Sequence, residues 1–83
     1  KLLDKILHSS FNNEDNPDEI LSVREFEIFK LTGEGFKTKE IAEKLNISRS
    51  TIESHKNNIK KKLGIHSSSK LVKIAIQWEM SQR

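Results

Sequence analysis

One stretch in the second half of the chain carries side chains whose types and spacing could do chemistry. Between residues 49 and 61, one helical face would present small polar groups, and long cationic side chains would flank it. The face comprises Ser50, Glu53, Ser54, Asn57 and Lys61, and the flanking cations are Arg49, Lys56 and Lys60. Hydroxyl, amide and carboxyl groups can exchange hydrogen bonds with base edges, while lysine and arginine pair with phosphates. An ordinary solvated helix face could hold the same residue types, so the surrounding elements must decide between the two interpretations.

Those surrounding elements match a helix-turn-helix, in which the second helix enters the DNA major groove. Residues 38–57 read TKEIAEKLNISRSTIESHKN, two short helical segments joined by a tight turn. Five positions agree with the motif. Thr38 can cap the first helix, Ala42 is small enough to let the helices cross closely, and Asn46 tolerates a left-handed backbone at the turn. The other two, Ile52 and His55, face inward. We therefore predict that the polar face is the exposed side of a recognition helix.

The distribution of charge favours the same interpretation. The chain has a net charge of +3. Residues 1–36 hold four Lys or Arg against eight Asp or Glu, whereas residues 37–83 hold eleven against four. The positive half contains the predicted helix-turn-helix, which is where a polyanion would dock. A lysine-rich solvated surface is the alternative explanation of the charge alone.

The apolar spacing predicts an all-α fold of five helices and no strands, in which a short N-terminal linker helix precedes the four helices that contain the helix-turn-helix. Residues 1–9 form this linker helix, and the acidic, turn-rich residues 11–19 form the loop after it. The predicted domains are therefore a linker at residues 1–19 and a helix-turn-helix domain at residues 20–83, with its motif at 38–57.

Two helices should precede the polar face. Ser22 and Glu25 form a capping box, which starts a helix that ends near Gly33 or Gly35. The first helix of the motif then runs from about residue 39 to residue 45. Together these helices would form the support on which the recognition helix packs.

The recognition helix and the last helix also have recognisable ends. Ser48 caps the recognition helix, which ends near residue 63 because Gly64 supplies a C-terminal stop. Ser67 or Ser68 caps the last helix, over roughly residues 68–80. Spacings of three and four predict the buried stripe of the recognition helix: Ile52, His55, Ile59 and Leu63. His55 is expected to be a partly buried packing residue, with donation to a phosphate as the alternative.

From residue 21 to residue 75 the chain resembles the LuxR-type DNA-binding domain, the output module of many bacterial regulators. The matching stretches are LSVREFEIFKL at 21–31, KEIAEKLNIS at 39–48, TIESHKNNIKKKLGI at 51–65 and LVKIA at 71–75. The resemblance implies a four-helix bundle with residues 49–62 as recognition helix and a dimer formed by the last helix. It also implies phosphate and base contacts by Lys39, Thr51, Glu53, Ser54, Lys56, Asn57 and Lys61.

We therefore expect sequence-specific binding of double-stranded DNA by the output domain of a bacterial transcriptional regulator. The candidate DNA-binding residues are Thr38, Lys39, Arg49, Ser50, Thr51, Glu53, Ser54, Lys56, Asn57, Lys60 and Lys61. Because the chain begins with Lys1, we expect it to be a fragment of a longer protein. The resemblance implies a phosphorylatable receiver domain, or less often a small-ligand sensor, on its N-terminal side, and RNA polymerase is a further expected partner. The alternatives are a promoter-recognition region of a sigma factor and a helical protein-interaction module.

Glu53 departs from the family pattern, in which this position is often a lysine. A carboxylate repels phosphate but can accept a hydrogen bond from the amino group of cytosine in the major groove. Glu53 is therefore expected to read a base edge. The alternative is that it only stabilises the positive end of the helix dipole.

The last helix has two apolar faces. Trp78 is in register with Leu71, Ile74 and Ala75, so these four residues are expected to form part of the core. The second face comprises Val72, Ile76 and Met80, at i, i+4 and i+8. This face predicts a weak homodimer. The alternative is that both faces pack inside the monomer or under the first helix.

Other chemistry is not indicated by the sequence. There is no cysteine, which excludes disulfides and fits a reducing cytoplasm. His8, His55 and His66 are too far apart to predict a metal site, and the serines at 67–69 are more typical of a helix cap than of a nucleophile. No apolar run approaches membrane-spanning length. We therefore expect a cytoplasmic protein that is not an enzyme, does not enter a membrane and needs no cofactor.

Overall fold

The computed structural model describes residues 17–82 of the chain. These residues form five helices and no strand: α1 (Pro17–Ile20), α2 (Val23–Gly33), α3 (Thr38–Leu45), α4 (Arg49–Leu63) and α5 (Ser68–Ser81). The predicted all-α fold is confirmed, and the four longer helices are those expected from the sequence. The predicted linker helix at 1–9 lies outside the described residues, as does most of the loop at 11–19, whose last part is the helical turn α1. The boundary between residues 19 and 20 stays a prediction.

Helix α2 begins at the predicted capping box. The Ser22 hydroxyl accepts from the backbone N–H of Glu25 at 3.2 Å, and the Glu25 carboxylate accepts from the backbone N–H of Ser22 at 2.9 Å. Of the two predicted stops, Gly33 is the last helical residue. Gly35 lies in the following loop with φ of 99°, a backbone conformation that favours glycine.

The start of α3 differs from the prediction. Thr38 was expected to cap this helix, but the N-cap is Lys37, and Thr38 is the first helical residue. The reason is Glu40, whose carboxylate accepts from the backbone N–H of Lys37 at 2.8 Å and so satisfies the cap position one residue earlier. The Thr38 hydroxyl is thereby left to contact α4.

The remaining helix ends follow the sequence closely. Asn46 adopts the predicted left-handed conformation, with φ of 58°, between α3 and α4. The Ser48 hydroxyl accepts from the backbone N–H of Thr51 and caps α4, and Gly64 ends that helix with φ of 70°. Of the two serines predicted to cap α5, Ser67 is the cap.

Helix α2 lies at the centre of the bundle and packs against α3, α4 and α5. The core consists mainly of aliphatic side chains on these four helices, together with Phe29; its largest fully buried members are Ile28, Phe29, Ile41, Ile52, Ile59 and Leu71. Trp78 packs edge-on against Phe26 and Phe29, with ring centroids 5.3 and 5.8 Å apart. The predicted core position of Trp78 is therefore confirmed.

Helices α2 and α5 meet backbone to backbone. A Cβ atom added to Gly33 would lie 2.4 Å from the carbonyl oxygen of Ala75, which is far closer than van der Waals contact. Only glycine allows this approach, so Gly33 sets the distance between α2 and α5. None of the helices between residues 17 and 82 combines the length and apolar character needed to cross a bilayer.

Candidate nucleic-acid interface

Helix α4 is held in one rotational orientation by its buried stripe. Ile52 and Ile59 are completely buried, Leu63 is nearly so, and His55 is partly buried, as predicted. The opposite side is therefore turned to solvent, and its exposed residues are those expected from the sequence: Ser50, Glu53, Ser54, Asn57 and Lys61. Arg49 is also exposed, whereas Lys56 and Lys60 are half-buried.

The turn before α4 brings two predicted cations to the same place. The backbone N–H of Ile47 donates to the carbonyl of Ala42 at 3.1 Å, which closes the turn through Asn46. As a result, Lys39 and Arg49 line one open cleft of about 410 Å³. Two cations from different helices thus flank the start of the polar face, as phosphate binding requires.

A second group joins α3 to the middle of the polar face. The ammonium of Lys56 donates to the Thr38 hydroxyl at 2.8 Å, and that hydroxyl donates to Glu53 Oε2 at 3.0 Å. Three predicted site residues therefore form one hydrogen-bonded chain across two helices. Thr38 takes part through its side chain because it is not the cap of α3.

The N-terminal turn of α4 carries a group of hydroxyls. Ser48 Oγ lies 3.1 Å from Ser50 Oγ and 2.8 Å from Thr51 Oγ1. Ser50 and Thr51, both predicted site residues, are exposed beside the first backbone N–H groups of the helix. Hydroxyls and free N–H groups at a helix start can donate to phosphate oxygens.

The three consecutive lysines near the end of α4 have different surroundings. Lys61 is exposed and pairs with none of the described residues, and Lys60 lies 3.4 Å from Ser68 Oγ. Lys62 instead donates to Glu25 Oε1 at 2.7 Å, which ties the end of α4 to the start of α2. This ion pair was not predicted, although Lys62 follows buried Ile59 by three residues and so lies near the core side.

Glu25 is buried in this ion pair. Burial on its own would raise the pKa of Glu25, but the hydrogen bonds from Lys62 and from the Ser22 backbone, together with the Lys62 charge, outweigh it and hold the pKa below its ordinary value. Glu25 therefore stays ionised at neutral pH. It anchors Lys62 away from the polar face, so Lys60 and Lys61 are the lysines of this run that can reach a ligand.

The described residues contain no cluster of three or more His, Cys, Asp or Glu side chains that could hold a metal ion. The functional groups that α3 and α4 bring together are hydroxyl, amide and carboxyl groups flanked by cations.

A sequence model of the bacterial regulatory proteins of the luxR family matches residues 19–75, from α1 to the middle of α5. The chain belongs to this family. The predicted resemblance is thus confirmed, and with it a DNA-binding domain of a bacterial regulator; a sigma-factor region or a protein-interaction module is not favoured.

The chain is also similar to longer curated proteins. The oxygen regulatory protein NreC of Staphylococcus aureus (strain bovine RF122 / ET3-1) is 48% identical to it over 65 residues, and the protein of the same name from strain MRSA252 gives the same values. These matches cover 78% of this chain but 30% of each relative. The chain thus spans less than a third of the length of the curated relatives it matches. No solved structure gives a significant match.

Proposed function

We propose that α4 enters the major groove of double-stranded DNA and that the chain is the sequence-specific output domain of a transcriptional regulator of the two-component type. The observation that carries this proposal is the exposed polar face of α4. Buried Ile52 and Ile59 turn this face outward, and cations from two helices flank it. Short polar side chains allow a helix to sit deep in the groove, and long cations reach the phosphates on either wall.

Nine of the eleven predicted residues divide by position into two proposed roles. Near the centre of the face, the residues proposed to meet base edges are Glu53, Ser54 and Asn57. Around it, the residues proposed to meet phosphates are Lys39, Arg49, Ser50, Thr51, Lys60 and Lys61. Thr38 and Lys56 border the centre and are hydrogen-bonded to each other. Each of these contacts is a proposal.

Titration with random-sequence duplex DNA at two salt concentrations tests this function. Binding should weaken steeply as salt rises, because lysine and arginine displace counterions from the phosphates. Lys61→Ala should lower the slope of log affinity against log salt by about one. Lys30→Ala is the matched control, because Lys30 is an exposed lysine of α2 outside the predicted site, and its slope should equal that of the wild type. Salt-independent binding to duplex DNA, or none, would contradict the proposal.

We also propose that α5 forms a weak symmetric dimer. Val72 and Ile76 are each 38% exposed and Met80 is 64% exposed, whereas Ile74 and Ala75 of the same helix are buried. The predicted second apolar face is therefore uncovered in the described part of the chain. A symmetric dimer would match DNA half-sites about one helical turn apart.

The wider context is proposed from the longer relatives. Their names describe an oxygen regulatory protein, and they extend well beyond the segment that matches. We propose that this domain works with an N-terminal receiver or sensor domain, that RNA polymerase is a further partner, and that it acts in the cytoplasm, where bacterial DNA is found.

A further inference from the structure

We propose that Thr38 and Lys56 are positioning residues that aim the Glu53 carboxylate at a base edge, so that a residue of α3 sets the base preference of α4. This inference rests on the proposed function, and it concerns how specificity is produced in the same site. Its basis is the hydrogen-bonded chain that runs from the Lys56 ammonium through the Thr38 hydroxyl to Glu53 Oε2.

The geometry gives each member of this chain a distinct role. The Thr38 hydroxyl uses its proton toward Glu53 and a lone pair toward Lys56, at 3.0 and 2.8 Å. A cation that donates to a hydroxyl polarises it and strengthens the bond that this hydroxyl donates onward. Lys56 therefore reinforces the Thr38 bond to the carboxylate while remaining half-buried, unlike the exposed Lys61.

Such support matters because a free glutamate is a poor reader of bases. Fixing its rotatable bonds during binding costs conformational entropy. A bond from another helix fixes the carboxylate before DNA arrives, which removes part of that cost. Threonine suits this role because its branched side chain has few rotamers.

One oxygen of Glu53 remains for DNA. Thr38 occupies Oε2, and no described residue donates to Oε1. A carboxylate oxygen can only accept, so its natural partner in the major groove is an exocyclic amino group, above all that of cytosine. A base without this donor would leave a desolvated charge unpaired, and Glu53 would therefore act mainly by rejecting wrong bases.

The test compares Thr38→Val, Thr38→Ser and Glu53→Ala with the wild-type 83-residue chain. Valine keeps the shape of threonine but removes its hydroxyl, and serine retains the hydroxyl. The probes are a duplex selected by the wild type from a random pool, its single-base-pair variants and unrelated duplex DNA, measured in competition at one salt concentration. Circular dichroism checks that each variant is folded.

Glu53→Ala should lose roughly 5- to 150-fold of preference at one base pair. Thr38→Val should lose about two- to tenfold at the same base pair, and Thr38→Ser should keep most of the preference. The double variant Thr38→Val with Glu53→Ala should lose no more base preference than Glu53→Ala alone, because both changes remove the same coupled interaction. Glu53→Ala removes one negative charge beside the phosphates, so its affinity for unrelated DNA should rise.

Several results would overturn the inference. Equal weakening of binding to every duplex by Thr38→Val would make Thr38 a phosphate contact. An effect of Thr38→Val at a base pair other than that of Glu53→Ala would also contradict the inference. Additive losses in the double variant would also contradict the coupling. If Thr38→Val does not fold, Thr38→Ser and Lys56→Met test the inference instead. Loss of base preference in Thr38→Ser would contradict the proposed hydrogen-bonded chain, and so would full base preference in Lys56→Met. Failure of the proposed function is a separate result, in which the wild type itself shows no salt-dependent binding to DNA.

Discussion

The ion pair between Glu25 and Lys62 should make a measurable, pH-dependent contribution to stability. The test is Glu25→Gln, which keeps the size of the side chain and an acceptor oxygen but removes the charge. The Glu25 side chain is 7% exposed and accepts from the Ser22 backbone and the Lys62 ammonium. Hydrogen bonds to charged groups are worth about 1.5–3 kcal/mol, against about 0.5–1.5 kcal/mol for neutral ones.

These values give the expected size of the effect. Because the Lys62 side chain is 42% exposed, water recovers part of its lost interaction. We therefore expect Glu25→Gln to lower the free energy of unfolding at pH 7 by about 1–2 kcal/mol. In a domain of this size, that corresponds to a fall in Tm of roughly 4–15 °C.

The pH dependence follows from the lowered pKa of Glu25. A carboxyl group whose pKa is lower in the folded state stabilises the fold at pH values above its ordinary pKa of 4.5. This contribution disappears as the pH falls through the folded-state pKa, because both states are then protonated. The difference in free energy of unfolding between wild type and Glu25→Gln should thus have its full size at pH 7 and decrease steadily as the pH falls into the acid range.

Urea unfolding followed by circular dichroism, at a series of pH values, measures this difference. The matched control is Glu27→Gln, because Glu27 makes a surface pair with Arg24 at 3.4 Å in which neither side chain is buried; they are 49% and 44% exposed. The control should change stability by less than about 0.5 kcal/mol. A Glu25→Gln effect that is absent at pH 7, or that is equal at every pH, would refute the argument.

Two other predictions concern α5, one its packing against α2 and the other its exposed apolar face. Gly33→Ala should lower the free energy of unfolding by roughly 1–3 kcal/mol in urea titrations, because its Cβ would meet the Ala75 carbonyl at 2.4 Å; unchanged stability would show that α2 and α5 can separate without cost. Replacing Val72 and Ile76 with glutamate should weaken cooperative binding to paired half-sites by roughly tenfold or more while leaving single-site binding unchanged; unchanged cooperativity would exclude this face as the dimer contact.

Most helix ends could be predicted because their causes are local. Ser22 and Glu25 satisfy each other's backbone groups within one turn, and Asn46 and Gly64 supply left-handed conformations where helices must stop. The wrong prediction, Thr38 as a cap, has a local cause too. Glu40 satisfies the backbone N–H of Lys37, a residue type that is not itself a typical cap.

Contacts between distant residues could not be predicted in the same way. The Glu25 to Lys62 pair joins positions 37 residues apart, and the polar hydrogen bonds of Thr38 depend on how α3 crosses α4. The exposed face of α4 was predictable because helical periodicity assigns it. Which of its side chains meet DNA depends on how the domain docks, so the eleven site residues stay predictions.

The double attachment of α2 has a mechanical consequence. Its C-terminal end touches α5 backbone to backbone at Gly33, and its N-terminal end holds α4 through the Lys62 ion pair. A partner bound to α5 would therefore be held at a fixed distance and angle from the helix proposed to enter DNA. One extra base pair between two half-sites rotates one half-site relative to the other by about a tenth of a helical turn. With α2 attached at both ends, the domain cannot easily deform to follow that rotation. Such a dimer would therefore bind well at one spacing of its half-sites and poorly at others, in addition to its preference for particular bases.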